Sequence, residues 1–189
     1  MVEWRKTPQL IMDGVDNTAP GQKQSFFSVL PAALNLAVAY TFNVTTFEFV
    51  FERTFWGANK ELDFNFDSPL NSAVLTASFD DPVSKNWNDS NTYMFGITHH
   101  YNSNLALMAG FAVDQSPVPA DTLGFDLPDA DGLIYSGGIK YDYNEKITFG
   151  LSYLYLKKNK RSVSNNDSSI VGDFSSSAHL LNFSLSYFF

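Results

Sequence analysis

The chain ends in the sequence LLNFSLSYFF, Leu180 to Phe189. From Leu181 onwards every second residue is aliphatic or aromatic, and Asn or Ser fills most of the positions between. Because successive side chains of a β-strand point to opposite faces, this alternation predicts a strand with one apolar and one polar face. Chain termini usually carry polar residues and fray into water. The ending therefore predicts a closing strand whose apolar face lies against lipid.

The same period of two recurs throughout the rest of the chain. Each repeat covers roughly ten residues, the length that a tilted strand needs to cross a bilayer. With the closing strand, the pattern predicts an all-β protein with about seven antiparallel strands. The six earlier segments are residues 36–42, 47–51, 93–101, 105–113, 133–143 and 147–155.

The connections between these strands alternate between short and long. The short ones read NV, NSN and NEK, each with an Asn that suits a hairpin turn. The long ones cover residues 56–91, 115–132 and 157–177. All tight turns therefore lie at one end of the sheet and all long loops at the other, which is typical of outer-membrane barrels and not of soluble sandwiches.

Aromatic residues flank the aliphatic part of the predicted strands at both ends, as interfacial girdles do. Arg53 is the one full charge on the seven apolar faces, and it lies at the long-loop end, where its side chain can reach the headgroups. The predicted girdles are Phe42, Tyr101, Tyr143, Tyr187 and Phe189 at the short-turn end, and Phe55, Trp56, Tyr93 and Tyr155 at the long-loop end.

Composition argues against several other functions. A formal net charge of -8 does not suit nucleic-acid binding, which needs a basic surface. The chain has no Cys, and His99 and His100 are neighbours on one strand, so they face opposite sides and cannot share a metal ion. No catalytic motif is present, so we predict neither an enzyme nor a cofactor.

Seven strands do not close a membrane barrel, because single-chain bacterial barrels have even numbers of strands and lipid does not tolerate an open edge. Two explanations remain. Either the segment QSFFSVL (Gln24–Leu30) supplies part of an eighth strand, or the chain is only part of a larger barrel.

The loop after the fourth strand carries two short motifs, D-x-S-P-V-P and P-D-x-D. They resemble the near-C-terminal loop of the outer-membrane long-chain fatty acid transporter family (the FadL/TodX/OmpP1 group), and the resemblance covers residues 25–189. Gly132 departs from the family, which usually has a large residue there, so an anchoring role for that side chain is not expected. The motif residues are Asp114, Ser116, Pro117, Pro119, Pro128, Asp129 and Asp131.

The resemblance implies a fourteen-stranded transmembrane barrel in the bacterial outer membrane, of which residues 31–189 would be the C-terminal half and residues 1–30 an extracellular loop or partial strand. It implies passive transport of hydrophobic compounds, with long-chain fatty acids preferred and aromatic hydrocarbons also open. The implied partners are an N-terminal half with a hatch, membrane lipid, and the barrel assembly machinery, which would read Leu185, Tyr187 and Phe189. The alternative is a structural barrel or adhesin whose long loops bind partners.

The predicted lumen face is more apolar than a general porin would need for a water column. Its candidate ligand contacts are Val50, Met94, Met108, Ile134, Lys140 and Leu154. Lys140 could bind a fatty-acid carboxylate, or it could pair with Asp142 or Glu48. The cost of an unpaired buried charge favours the pair.

Overall fold

The computed structural model describes residues 2–4, 9–15, 23–66, 83–124, 128–163 and 171–189. These residues form β-strands and one single-turn 3-10 helix, Trp56–Ala58. Among them, no helix is long and apolar enough to cross a membrane. The strands are β1 (Val2–Trp4), β2 (Gln9–Val15), β3 (Lys23–Val29), β4 (Ala33–Phe42), β5 (Thr45–Thr54), β6 (Glu61–Phe66), β7 (Val83–Ser84), β8 (Ser90–His100), β9 (Leu105–Asp114), β10 (Gly132–Asp142), β11 (Ile147–Lys158), β12 (Arg161–Val163), β13 (Gly172–Phe174) and β14 (Ser177–Tyr187).

The main sheet contains every long strand, in the order β1-β4-β5-β8-β9-β10-β11-β14. All its neighbours pair antiparallel. The strands from β4 onwards in this order are 10 to 12 residues long and coincide with the seven predicted segments. The predicted antiparallel all-β architecture is therefore confirmed.

The sheet is open within the described residues, since no pairing joins β1 to β14. Its first place is taken by the three residues of β1, which pair with β4. The segment around QSFFSVL forms β3, which pairs with β2 and β6 in a separate sheet. The idea that this segment completes the barrel as an eighth strand is therefore wrong, and the open sheet fits part of a larger barrel. The predicted division at residue 30 stays a prediction.

Asn residues shape the short turns as the sequence predicts. Asn43 has a φ of 53°, in the left-handed region that Asn tolerates better than most residues. The side-chain oxygen of Asn102 accepts hydrogen bonds from the backbone N–H groups of Asn104 and Leu105, both at 2.9 Å. Asn144 does the same for Lys146 and Ile147, again at 2.9 Å. Two of the three turns thus use one local solution, an Asx turn.

The register gives the sheet two chemically different faces. One, which we call the outer face, carries aromatic and aliphatic side chains in continuous rows, such as Val38, Phe49, Phe95, Phe111 and Tyr135. The opposite side, the inner face, mixes small, polar and charged residues with a few apolar ones. Exposure of Leu181 at 74 % and Phe183 at 68 % would be costly in water and is natural against lipid.

The long loops pack on one another at the end of the sheet opposite the Asn turns. Val118, Leu123 and Val163 are buried there, with Trp87 and Phe174 packed against them. Val163 and Phe174 belong to the hairpin of β12 and β13. This apolar cluster holds the described parts of the three long loops together as a rim at this end of the sheet.

We predict that Asn43→Val destabilises the folded protein by about 1–2 kcal/mol, because a β-branched residue is strained at positive φ. Asn43→Gly should fold as well as the natural sequence, since Gly adopts this conformation freely. Urea unfolding in lipid vesicles would measure the difference. Equal stability of the Val and Gly variants would contradict the turn geometry.

Candidate functional site: the inner face and its loop rim

The inner face holds an apolar groove of about 530 Å³. Five of the six predicted lumen residues line it and therefore share one surface, while their role in ligand binding stays a prediction. Val50 and Met94 are direct cross-strand partners, and Ile134 continues the same row across β9 and β10. The five lining residues are Val50, Met94, Met108, Ile134 and Leu154.

Glycines keep the floor of this groove low. Gly96 and Gly110 face each other on β8 and β9. A Cβ on Gly110 would lie 2.6 Å from Ser136 Oγ, closer than real contacts allow. Above Gly96 lies the Glu48 carboxylate, 3.7 Å from where a Cβ would stand. Larger residues at these two positions would fill part of the groove.

Lys140, the sixth predicted residue, does not line the groove. Its Nζ lies 3.3 Å from Asp142 Oδ2, while Asp142 Oδ1 accepts a 2.6 Å hydrogen bond from Thr148. Of the two partners considered for Lys140, the structure selects Asp142 and not Glu48. The lysine charge is thereby neutralised at the short-turn end of the inner face.

The loop carrying the two sequence motifs is fastened by Lys158, the last residue of β11. Its Nζ lies 2.9 Å from Asp114 Oδ2 at the end of β9 and 3.0 Å from Asp129 Oδ1 in the loop. The Lys158 side chain is only 15 % exposed, so water screens these pairs less than it screens surface pairs. The first and second motifs each supply one carboxylate to the same cation.

Hydrogen bonds between side chains and the backbone also fasten the loop. We call these bonds and the two ion pairs together the Lys158 latch. The Ser116 N–H donates to Asp131 Oδ1 at 2.8 Å. The Arg161 guanidinium donates to the carbonyl oxygens of Val118 and Asp129, at 2.8 and 3.0 Å. Asp114, Ser116, Asp129 and Asp131 thus have structural partners that explain their spacing.

The structure also explains why a glycine stands at position 132. It is buried, and a Cβ on it would lie 3.1 Å from Lys158 Cδ and 3.3 Å from Leu156 Cδ1. The absence of a side chain therefore gives the lysine stem room to cross towards Asp129. Gly132 has no side chain that could anchor the loop, and Lys158 supplies the anchor instead.

Beneath the latched loop lies a second cavity of about 520 Å³, the rim pocket. Pro117 and Pro128 line it, whereas Ser116, Pro119 and Asp131 do not. Its walls combine apolar and acidic groups: Trp56, Trp87, Pro117, Val118 and Pro128 with Glu52, Asp114 and Asp129.

Sequence reasoning missed this pocket and assigned Trp56 to the lipid-facing girdle. That assignment is wrong, because Trp56 lines the rim pocket and packs edge-on against Trp87, with ring centroids 5.1 Å apart. Trp87 lies in a long loop where no periodic pattern marks it. The available signal is that Trp56 and Trp87 stand near the two ends of the same long connection, residues 56–91, which starts and ends at the sheet.

Arg53 lies at the long-loop end as predicted, and its charge is paired. Its Nη2 is 3.0 Å from Asp89 Oδ2, and its guanidinium lies 5.7 Å from the centre of the Phe55 ring. Asp89 also accepts a hydrogen bond from the Gly57 N–H at 3.0 Å. The arginine therefore ties β5 to the loop before β8.

The hairpin beyond the latch carries one perturbed carboxyl group. A hydrogen bond from Lys160, 2.7 Å away, holds the pKa of Asp173 below its usual range, and a second hydrogen bond from Ser162 acts in the same direction. The Asp173 carboxylate thus links the residue before β12 and the first strand of the hairpin to β13, beside the backbone pairing of the two strands.

A family model described as outer membrane protein transport protein (OMPP1/FadL/TodX) matches residues 11–189. The chain belongs to this family. This is a family of transport proteins and not of enzymes. Its members are located in the bacterial outer membrane. The latched loop and the open antiparallel sheet are therefore parts of a FadL-family barrel wall.

Relatives agree with the assignment. The chain is 39 % identical over 74 residues to a long-chain fatty acid transport protein of Escherichia coli O6:H1 and 27 % identical over 105 residues to that of strain K12. These alignments cover 38 % and 53 % of this chain but only 17 % and 24 % of the relatives. The chain therefore matches a minor part of each.

Solved structures show the same fold. A Pseudomonas aeruginosa FadL homologue superposes with a TM-score of 0.73 at 17 % identity, over 87 % of this chain and 36 % of that one. The Pseudomonas putida toluene transporter TodX superposes with a TM-score of 0.56, also at 17 % identity, over 88 % and 37 %. The chain spans about a third of either barrel protein.

Two further expectations concern sites elsewhere in this FadL-family chain. His99 lies on the outer face, where its Nδ1 is 2.8 Å from Thr45 Oγ1, and His100 lies on the inner face. Within the described ranges, no group of three or more His, Cys, Asp or Glu residues is placed to hold a metal ion. At the last strand, Leu185 and Tyr187 lie on the outer face, and the Phe189 ring packs edge-on against Tyr187.

We predict that Lys158→Met releases the loop between β9 and β10, because it leaves Asp114 and Asp129 close together without their cation. The expected loss is about 1–3 kcal/mol of local stability, as for a hydrogen-bonded charge that loses its partner. Hydrogen exchange of residues 115–131 would measure it. Lys157→Met, one position along on the outer face, is the matched control, and equal loss of protection in both variants would contradict the latch.

Proposed function

We propose that this chain forms one wall of a passive outer-membrane transporter for hydrophobic compounds, with long-chain fatty acids as the substrate. The observation that carries the proposal is the apolar groove of the inner face, lined by Val50, Met94, Met108, Ile134 and Leu154 above a floor of glycines. A lumen built for water and ions would place charged rings there. A groove of this size and lining suits an alkyl chain.

The rim pocket supplies the approach to this groove. Glu52, Thr92 and Asp114 line the pocket, and the groove begins two residues further along the same strands, at Val50, Met94 and Ala112. Two residues of a strand cover about 7 Å. A hydrophobic compound entering past Trp56 and Trp87 thus reaches the groove in one short step.

The charges of this wall indicate that it contacts the alkyl chain of the substrate and not its carboxylate. Both inner-face lysines are occupied, Lys140 by Asp142 and Lys158 by Asp114 and Asp129. Glu48 and Glu52 add negative charge nearby, which repels a carboxylate. We therefore propose that a fatty-acid headgroup is bound by residues outside this wall.

The remainder of the transporter is also part of the proposal. The open edges of the sheet need further strands, because unpaired backbone groups are not tolerated in lipid. An N-terminal half with a hatch would supply these strands and the lumen plug, and the assembly machinery would recognise the last strand. The support is the share of the relatives that this chain covers and the exposed outer face of β14.

We predict that Met94→Asp lowers fatty-acid uptake by tenfold or more, because it places a charge where the alkyl chain must lose water. Met94→Leu, which conserves volume, should keep uptake within about twofold. Lys140→Met should also leave uptake unchanged. Uptake of radiolabelled oleate by cells lacking their own transporter measures all three, at matched amounts of protein in the outer membrane. Normal uptake by the Asp variant would reject the groove as the path.

We also predict that Phe189→Ser lowers the amount of folded protein in the outer membrane several-fold, because it removes the terminal aromatic residue of the closing strand. Phe188→Ser is the matched control, since it changes the same residue type one position earlier, outside the alternating set. Heat-modifiable gel migration of outer-membrane fractions reports the folded amount. Equal loss in both variants would show that the alternation at the terminus is not what is recognised.

A further inference from the structure

The carboxylates of the long strands are confined to one face of the sheet. The carboxylates of these strands, Glu48, Glu52, Asp114 and Asp142, all lie on the inner face. The charged residues of the outer face are both cations, Arg53 and Lys157. Although the chain has a formal net charge of -8, the outer face of these strands therefore carries cations and no carboxylate.

The two outer-face cations differ in their surroundings. Arg53 is paired with Asp89. Lys157 is exposed at the loop end of β11, and no carboxylate within the described ranges pairs with it. Directly opposite Lys157 on β14 stands Ser177, and the next outer-face pair along these strands is Tyr155 with His179. The diagonal from Lys157 to His179 is about 7–8 Å, within reach of a lysine side chain.

His179 is held in one orientation by two tyrosines. The Tyr155 ring stacks on it, with centroids 4.7 Å apart and planes at 29°. The Tyr153 hydroxyl lies 2.7 Å from His179 Nδ1. Because a phenol is a better donor than a neutral imidazole N–H, a hydrogen bond from the hydroxyl to Nδ1 is the favoured arrangement, and it leaves the ring proton on Nε2. A fixed N–H donor therefore stands beside an unpaired ammonium group on an exposed surface.

We propose that Lys157, Ser177 and His179 form a binding site for the phosphate of an outer-leaflet lipid headgroup. Ammonium, hydroxyl and imidazole N–H groups are donors that phosphate oxygens accept, and a lysine near a membrane surface attracts anionic lipid. The apolar rows below the site face the acyl chains, and the site lies at the loop end of the strands. The occupant is therefore a lipid with a phosphate in its headgroup and not a free anion.

The test uses the intact protein that contains this chain, extracted from outer membranes in detergent. Native mass spectrometry counts retained lipid during titration with diphosphoryl lipid A and, separately, with its dephosphorylated form. We expect the natural protein to bind the phosphorylated lipid about tenfold more tightly. Lys157→Gln combined with His179→Gln should abolish this preference, and Tyr153→Phe, which only frees the His179 ring, should weaken it by a smaller factor.

Lys146→Gln is the matched control, because it removes one exposed lysine in the turn before β11, at the opposite end of the sheet, and should leave the preference intact. Heat-modifiable migration confirms that each variant is folded, and the milder Tyr153→Phe variant decides the matter if the double variant is not. An unchanged preference in the double variant, or an equal loss with Lys146→Gln, would overturn the proposal. Displacement of the lipid by 10 mM inorganic phosphate would overturn it too, by showing a site for the free anion.

Discussion

The structure depends on one constraint: strands in a bilayer must satisfy their backbone hydrogen bonds by pairing with neighbouring strands. The register of that pairing must also keep every second residue of each strand facing the lipid. Seven strands obey it together, so that rows such as Val38, Phe49 and Phe95 cross the sheet without interruption. A slip of one residue in any pair would bring Glu48 or Asp142 to the lipid. The same register that covers the outer face therefore also assembles the groove inside.

The inner face does not contact lipid, and its residues are determined by steric room in the groove and by local ion pairs. Glycines at 96 and 110 lower the groove floor, and the two lysines are each consumed by neighbouring carboxylates. At the loop end the Lys158 latch takes one carboxylate from each loop motif. These contacts join the described parts of the loop to β9 and β11 above the rim pocket.

The sequence was sufficient for the strands, the turns and the two faces, because period-two alternation and Asn turns are local signals. It also identified the five groove residues from parity alone. What it missed depends on contacts between distant segments. Trp56 continues an aromatic run and looks like a girdle residue until Trp87, from the far end of a long loop, packs against it. Lys157 lies beyond the predicted strand, which ends at Tyr155, whereas β11 continues to Lys158.

The last strand shows how one element serves three requirements at once. Its outer residues from Leu181 to Tyr187 must be apolar for the lipid, so polar chemistry is confined to its loop end, where His179 can be fixed by Tyr153 and Tyr155. Its free edge must stay pairable, so it carries no proline from Ser177 to Tyr187. Its inner residues, Asn182, Ser184 and Ser186, are small and polar and keep the wall thin. The alternating sequence at the end of the chain thus satisfies three requirements at once: an apolar face towards lipid, an edge that can pair with another strand, and a small polar face towards the lumen.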